Sequence, residues 1–114
     1  GFANVILSRA EHVAIARYVS FAAFESWRNL GAKPVPRLVL LTTHASATHL
    51  DFAFKSDDIL MLGRESAGVP ESVHAVADAR VRIPIRPGLR SLNIAIAAAM
   101  VLGEGLRQTK SWPA

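Results

Sequence analysis

The alternation of apolar and polar positions along the chain predicts strands and helices that follow one another. Residues 1–7 are predicted to form a short strand, and residues 13–19 have the period-two pattern of a second strand. A helix is predicted next, with Ser20 as its N-cap and Gly31 at its end. Its apolar residues recur at helical spacing, at Phe21, Phe24, Trp27 and Leu30.

The second half of the chain repeats this order with shorter strands. Residues 38–41 and 59–62 are continuously apolar, as expected for strands covered on both faces of a parallel sheet. A third strand is predicted over residues 81–85, which contain a proline. Helices are predicted to begin at Pro70 and at Ser91. The order of elements is typical of an α/β domain with a mostly parallel sheet and flanking helices.

Length and composition indicate one globular domain, predicted over residues 1–114. The chain has 114 residues, of which 51% are hydrophobic and 19% charged. It contains no cysteine, which excludes disulfides, thiolate metal sites and cysteine nucleophiles. No apolar run reaches the roughly 18 residues that span a bilayer, and residues 1–7 lack the pattern of a signal peptide, so a cytoplasmic protein is expected. The apolar excess at this size favours a second copy of the chain as a partner.

The positive charge of the chain is concentrated near its predicted loops. The formal net charge is +4 and the sequence pI is about 10.4. Arginines cluster within eleven residues, at Arg80, Arg82, Arg86 and Arg90, and Arg64 lies on another loop. This clustering favours contact with phosphates. For Arg80 and Arg82, which share one face of a strand, RNA contact and simple solvation are equally open.

Three loops are the candidate functional site. In parallel sheets, ligands lie beyond the carboxyl ends of the strands, which here are followed by residues 42–47, 63–70 and 84–91. In the second loop two glycines bracket a charged pair, although an ordinary strand-to-helix turn explains this segment equally well. The third loop is stiffened by prolines and presents Arg86, Arg90, Ser91 and Asn93 at a helix start. On that segment alone, an ordinary capping role for Ser91 is the favoured interpretation.

The two later loops together resemble a pair of signature motifs. Residues 63–70 (GRESAGVP) resemble a Gly-x-Glu-x-x-Gly-(Leu/Val)-Pro loop, and residues 83–93 (IPIRPGLRSLN) resemble an Ile-Pro-(Met/Ile)-x-Pro-x-x-(Arg)-Ser-(Leu/Met)-Asn loop. These are the second and third motifs of the SPOUT-superfamily RNA ribose 2′-O-methyltransferases of the TrmH/TrmL type. Residues 40–43 and 106–108 are similar to the subgroup that modifies the tRNA wobble nucleotide. The resemblance covers roughly the C-terminal two thirds of the chain.

The resemblance implies a fold, an activity and partners. The fold would be the SPOUT fold with a C-terminal deep trefoil knot, which is rare among proteins. The activity would be 2′-O-methylation of the wobble nucleotide of tRNA with S-adenosyl-L-methionine and no metal. The chain would form a homodimer through the knot region.

The same resemblance assigns roles to individual residues. The cofactor would be bordered by residues of all three loops: Leu41, Gly63, Ile83, Ser91 and Leu92. The polar residues of the catalytic pocket would be Glu65, Ser91 and Asn93, with Glu65 either accepting a proton or holding a loop. Apart from the resemblance, the clustered positive charge favours the loop arginines Arg64, Arg86 and Arg90 as contacts to the tRNA.

The chain also departs from the family pattern. The first motif, Asn-x-Gly-Asn-x-x-Arg, is not recognisable, and residues 1–7 are interpreted as the family's second strand, which leaves the family's first strand and helix without a counterpart in this sequence. A non-catalytic RNA-binding protein with the SPOUT fold is therefore the alternative hypothesis.

A tyrosine often found in the last helix aligns with Gly103, and Trp112 is placed in a loosely held tail. His44 is expected to face solvent, and residues 57–58 (Asp-Asp) are expected to form a turn and not a catalytic carboxylate pair.

Overall fold

The structure is a computed structural model that describes residues 3–9, 12–18, 21–31, 35–62, 71–85 and 94–112. Five strands are described: β1 (Ala3–Arg9), β2 (His12–Tyr18), β3 (Leu38–Leu41), β4 (Ile59–Leu62) and β5 (Ala79–Val81). The helices of these residues are α1 (Phe21–Leu30), α2 (Glu71–Val76) and α3 (Ile94–Gln108). None of these helices is long and apolar enough to cross a membrane. The elements occur in the order that the apolar pattern predicts.

One predicted strand is displaced along the chain. The sequence predicts a strand over residues 81–85, whereas β5 is Ala79–Val81. The reason is that β3 ends at Leu41, whose partner in β5 is Val81. Beyond that pair, the backbone of Arg82 bonds instead to the loop that follows β3. The apolar run in the sequence therefore extends past the end of the sheet.

The sheet has the order β2-β1-β4-β3-β5 and is mixed. Strands β4, β3 and β5 are parallel, as the short apolar runs predict. Strands β1 and β2 pair antiparallel, and β1 adds antiparallel to β4. The expectation of a mostly parallel sheet thus holds for the last three strands and is wrong for the first two.

Both faces of the parallel strands are buried, which explains their continuous apolar runs. Alternate side chains point to opposite faces of a strand. One face packs against α1 and the region of α2, and its core consists of Phe24, Leu38, Leu40, Ile59, Met61, Val73 and Ala77. The other face packs against α3, and its core consists of Val39, Leu60, Leu62, Val81 and Val101. The result is a three-layer arrangement with the sheet in the middle.

A buried ion pair holds the segments that precede β3 and β4 together. The Arg37 guanidinium donates to both carboxylate oxygens of Asp58, at 2.9 and 2.7 Å. The same carboxylate accepts the backbone N–H of Lys55 at 2.8 Å, and the guanidinium also lies 4.7 Å from the centre of the Phe52 ring. Residues 57–58 do lie in a turn, because the Asp58 N–H donates to the Lys55 carbonyl at 3.1 Å. The aspartates therefore serve different roles: Asp57 is exposed and Asp58 is buried.

The C-terminal end of α3 is tied to the chain between β3 and β4 by Gln108. Its side chain accepts the N–H of Phe54 at 2.8 Å and donates to the carbonyl of Phe52 at 2.7 Å. It also donates to Glu104 at 2.9 Å. Hydrogen bonds from Arg107 and from Gln108 lower the pKa of Glu104 to about 2. Gln108 thus satisfies two backbone groups that have no strand partner.

We expect Gln108→Ala to lower the free energy of unfolding by about 1–3 kcal/mol, because the substitution leaves partly buried backbone groups without a partner. Arg107→Ala is the matched control. It removes a long side chain from the same turn of the helix, but that side chain is largely exposed and bonds only to Glu104 among the described residues. Urea unfolding of both variants checks this. Equal effects would show that the backbone bonds of Gln108 contribute little.

Candidate functional site

The carboxyl ends of β3, β4 and β5 lie side by side. Leu41 at the end of β3 pairs with Leu62 at the end of β4 and with Val81 at the end of β5. The three candidate loops therefore leave the sheet from the same edge. This convergence is the arrangement in which parallel sheets bind ligands.

The loop after β3 bonds at both of its ends to the chain that leaves β5. The N–H of Thr42 donates to the carbonyl of Val81 at 2.9 Å. The N–H of Arg82 donates to the carbonyl of Ala47 at 2.9 Å, and its carbonyl accepts the N–H of His49 at 2.8 Å. Because successive residues of an extended chain direct their backbone groups to opposite sides, the segment at Arg82 lies between the start and the end of this loop.

Two predicted cofactor-binding residues are described, and both lie at this edge. Leu41 ends β3, and Ile83 follows β5 by two residues. Both side chains are partly buried and pack against the core cluster on the α3 side of the sheet. Both are apolar side chains near the carboxyl ends of the strands, and their role in cofactor binding stays a prediction.

A polar cluster that the sequence analysis missed lies on the other side of the same edge. The Thr42 hydroxyl is 3.2 Å from Nε2 of His74 on α2 and accepts the backbone N–H of His44 at 3.2 Å. The His44 side chain is exposed, as expected, and its ring lies edge-on 6.0 Å from the ring of His74. A polar residue directly after an apolar strand was the available signal for Thr42. Its partner His74 gives no such signal, because 32 residues separate them.

The Arg80 side chain stabilises the fold and is not simply solvated. Its Nε donates to the carbonyl of His74 at 2.8 Å, and a second guanidinium nitrogen bonds to the same oxygen. The carbonyl lies in the last turn of α2, where backbone acceptors lack helical partners. Arg80 is therefore a helix-capping residue, which is a role that neither open interpretation included.

The remaining predicted site residues lie outside the described residues. They are Gly63, Arg64, Glu65, Arg86, Arg90, Ser91, Leu92 and Asn93. Their roles stay predictions. Among the described residues, no three of His, Asp and Glu are grouped so that they could hold a metal ion.

Comparison with known proteins supports one family. The SpoU rRNA Methylase family profile matches residues 2–103. A protein of Beijerinckia indica subsp. indica named tRNA (cytidine(34)-2'-O)-methyltransferase is 62% identical over 98 residues. That alignment covers 86% of the chain and 59% of the relative, so the chain spans less than two thirds of that protein.

Solved structures agree with this similarity. A structure described as "Structural insights into the 2-OH methylation of C/U34 on tRNA" has a TM-score of 0.69 and 33% identity, covering 80% of this chain and 57% of the other. The SpoU methyltransferase AviRb from Streptomyces viridochromogenes, in complex with the cofactor AdoMet, has a TM-score of 0.69 and 32% identity. It covers 78% of this chain and 36% of the other. With two motifs behind two converging strands and a profile match over most of its length, the chain belongs to the SpoU rRNA Methylase family.

Proposed function

We propose that the protein is an S-adenosyl-L-methionine-dependent tRNA ribose 2′-O-methyltransferase that acts on the wobble nucleotide. The convergence of the ends of β3, β4 and β5, with the signature loops following β4 and β5, is the observation that carries the proposal. The name of the Beijerinckia relative supports the substrate and the position. This activity implies that the protein acts on tRNA in the cytoplasm.

The cofactor would lie at the shared carboxyl edge of the sheet. Leu41 and Ile83 would border the cofactor at this edge, with Ile83 and Leu92 as apolar walls for the adenine, and the cofactor complex of AviRb supports the identity of the ligand. From the other two loops, Gly63, Ser91 and Leu92 complete the proposed pocket. When bound, the cofactor supplies an electrophilic methyl group on a sulfonium. No metal is part of the proposal.

The chain's own contribution to the reaction is alignment. The ribose 2′-hydroxyl must approach the methyl group in line, and orientation of two reactants can supply several kcal/mol of the barrier. Ser91 and Asn93 donate and accept hydrogen bonds and so are suited to orient the ribose. Glu65 either accepts the proton of the hydroxyl or holds its loop in place.

We propose that the backbone forms the deep trefoil knot of the SPOUT fold. The bonds of Arg82 to Ala47 and His49 on one side, and of Val81 to Thr42 on the other, support this topology. In the proposed topology, the chain that leaves β5 would pass through the loop after β3 before it continues into α3. The enclosed segment would bring the loop after β5 against the loop after β3, where the cofactor is proposed.

A homodimer is proposed because one face of α3 is apolar and exposed. This surface, called the α3 apolar face, consists of Ala95, Ile96, Ala99 and Met100. Ile96 and Met100 lie one helical turn apart on the same face, and they are 55% and 41% exposed. An exposed apolar stripe of this kind typically marks an interface. In the proposed homodimer, this face would be buried against a second copy of the chain through the knot region.

We expect Met100→Asp to convert the dimer into a monomer, because an unpaired charge at the centre of an apolar interface is costly to bury. Leu30→Asp is the matched control, since Leu30 is 86% exposed on α1, on the opposite face of the sheet. Sedimentation velocity of both variants measures the effect. A dimer that survives Met100→Asp would contradict the assignment of this interface.

For the tRNA, the loop arginines Arg64, Arg86 and Arg90 are the proposed phosphate contacts. We expect Arg86→Ala and Arg90→Ala to weaken tRNA binding and to reduce the slope of log affinity against log salt by about one each. Filter binding at several salt concentrations tests this. An unchanged salt slope would exclude these side chains as phosphate contacts.

The experiment that tests the proposed function is methyl transfer to bulk tRNA. The protein is incubated with methyl-labelled S-adenosyl-L-methionine and tRNA, and the labelled nucleotide is mapped. Label on the wobble ribose is expected. Cofactor binding and tRNA binding without any transfer would favour the non-catalytic RNA-binding alternative.

A further inference from the structure

The C-terminal segment after α3 turns back and holds an aromatic side chain on the helix surface. The indole N–H of Trp112 donates to the carbonyl of Gly103 at 3.2 Å. Lys110 has a positive φ of 56°, which reverses the chain direction. The turn is secured where the Thr109 hydroxyl donates to the Gly105 carbonyl at 2.9 Å and lies 2.8 Å from the Ser111 hydroxyl. The prediction of a loosely held tail is therefore wrong for Trp112.

The ring of Trp112 lies over Gly103. A Cβ atom at Gly103 would lie 3.6 Å from Cζ2 of the indole, so the ring lies directly on the bare helix surface. A large side chain at this position would occupy the space of the ring. Trp112 nevertheless remains 59% exposed. Its one polar group is bonded to the helix, and so the surface that it offers to a partner is aromatic.

The position of the ring relates it to the rest of α3. Ile96, Met100, Gly103 and Arg107 are spaced by four, three and four residues and so lie along one line of the helix. Trp112 therefore lies where the α3 apolar face gives way to exposed cationic side chains, those of Arg107 and Lys110. Lys110 has no ion pair among the described residues, whereas Arg107 bonds to Glu104.

We propose that Trp112 is a stacking platform for an unpaired nucleobase of the RNA substrate, with Lys110 contacting the adjacent phosphate. The proposal rests on the proposed RNA methyltransferase function and adds a binding residue outside its three loops. A held ring is suited to this role because little side-chain freedom is lost when a base stacks on it. Flat contact on a π face with a cation beside it is how proteins bind single-stranded RNA without reading its sequence. The net charge of +4 favours the same partner.

The test uses the fluorescence of Trp112 itself. The chain has two tryptophans, so Trp27→Phe leaves Trp112 as the only indole. The probes are an RNA hairpin with the anticodon stem and loop, and a fully paired duplex with the same stem. We expect the hairpin to quench the emission in a saturable way and the duplex to leave it nearly unchanged. Absence of quenching by the hairpin, or equal quenching by both, would overturn the proposal.

A second measurement separates stacking from other roles of the ring. Trp112→Ala should weaken hairpin binding by roughly 5- to 100-fold, and Trp112→Phe should restore most of it. Lys110→Gln should lower the salt dependence while quenching remains. If Trp112→Ala instead dissociates the dimer in sedimentation, the ring is a subunit contact and the proposal is wrong. S-adenosyl-L-methionine affinity should be the same in all variants. If the wild-type protein binds the hairpin with quenching of Trp112 but never transfers a methyl group, the proposed function is wrong. The stacking proposal would still hold in that case.

Discussion

Replacing Asp58 by alanine is expected to lower the free energy of unfolding by about 2–4 kcal/mol, because it leaves a partly buried arginine without its counter-charge. The Asp58 side chain is 3% exposed and accepts both guanidinium bonds of Arg37 and the N–H of Lys55. The substitution removes all three bonds. The Arg37 side chain retains 25% exposure, so water can compensate part of the loss.

The matched control for this prediction is Asp57→Ala. Asp57 is the preceding residue in the same turn, is exposed, and has the same charge and the same effect on net charge. Its replacement should leave the midpoint of urea unfolding nearly unchanged. The prediction fails if the two variants unfold at the same urea concentration.

Ser91→Ala and Asn93→Ala are expected to lower kcat for tRNA methylation by about 10²-fold, because each removes a group that would orient or stabilise the reacting oxygen. The melting temperature should change little. Ser56→Ala is a matched control, since Ser56 is exposed in the turn before β4, at the opposite end of that strand from the proposed pocket. Steady-state kinetics and thermal unfolding are measured on the same preparations.

The outcome for each catalytic variant distinguishes two roles for Ser91. If Ser91 only caps the helix that the sequence predicts to begin there, its loss should reduce stability by the usual amount for an N-cap, about 1 kcal/mol, and the activity should fall in proportion to the folded fraction. Parallel losses of stability and rate would therefore contradict a catalytic role. A large loss of rate in a stable protein would support it.

Much of the fold follows from local pattern. The buried strands β3 and β4 are predicted because both faces of each are covered, which removes polar positions from the run. The displacement of β5 could not be predicted, because its end depends on where β3 ends and on the bond between Arg82 and the loop at Ala47. Equally, no local signal shows that β1 pairs antiparallel with β4 across half of the chain.

Part of the candidate site could also be predicted from the sequence, and part could not. Because the carboxyl ends of parallel strands share an edge, the sequence predicts that Leu41 and Ile83 lie near one another's strand ends, and the structure has them there; their role in binding stays a prediction. Contacts between distant residues carry no sequence signature in a single chain. Thr42 and His74 are one such pair. Trp112 and Gly103 are another, and they are in contact only because the chain turns at Lys110.

Titration calorimetry with S-adenosyl-L-methionine tests the central claim most directly, because the claim requires the turns after β3, β4 and β5 to form one pocket. We predict saturable binding at one site per chain, competition by S-adenosyl-L-homocysteine, and weaker binding after Ile83→Asp. No binding by the folded protein would contradict the account.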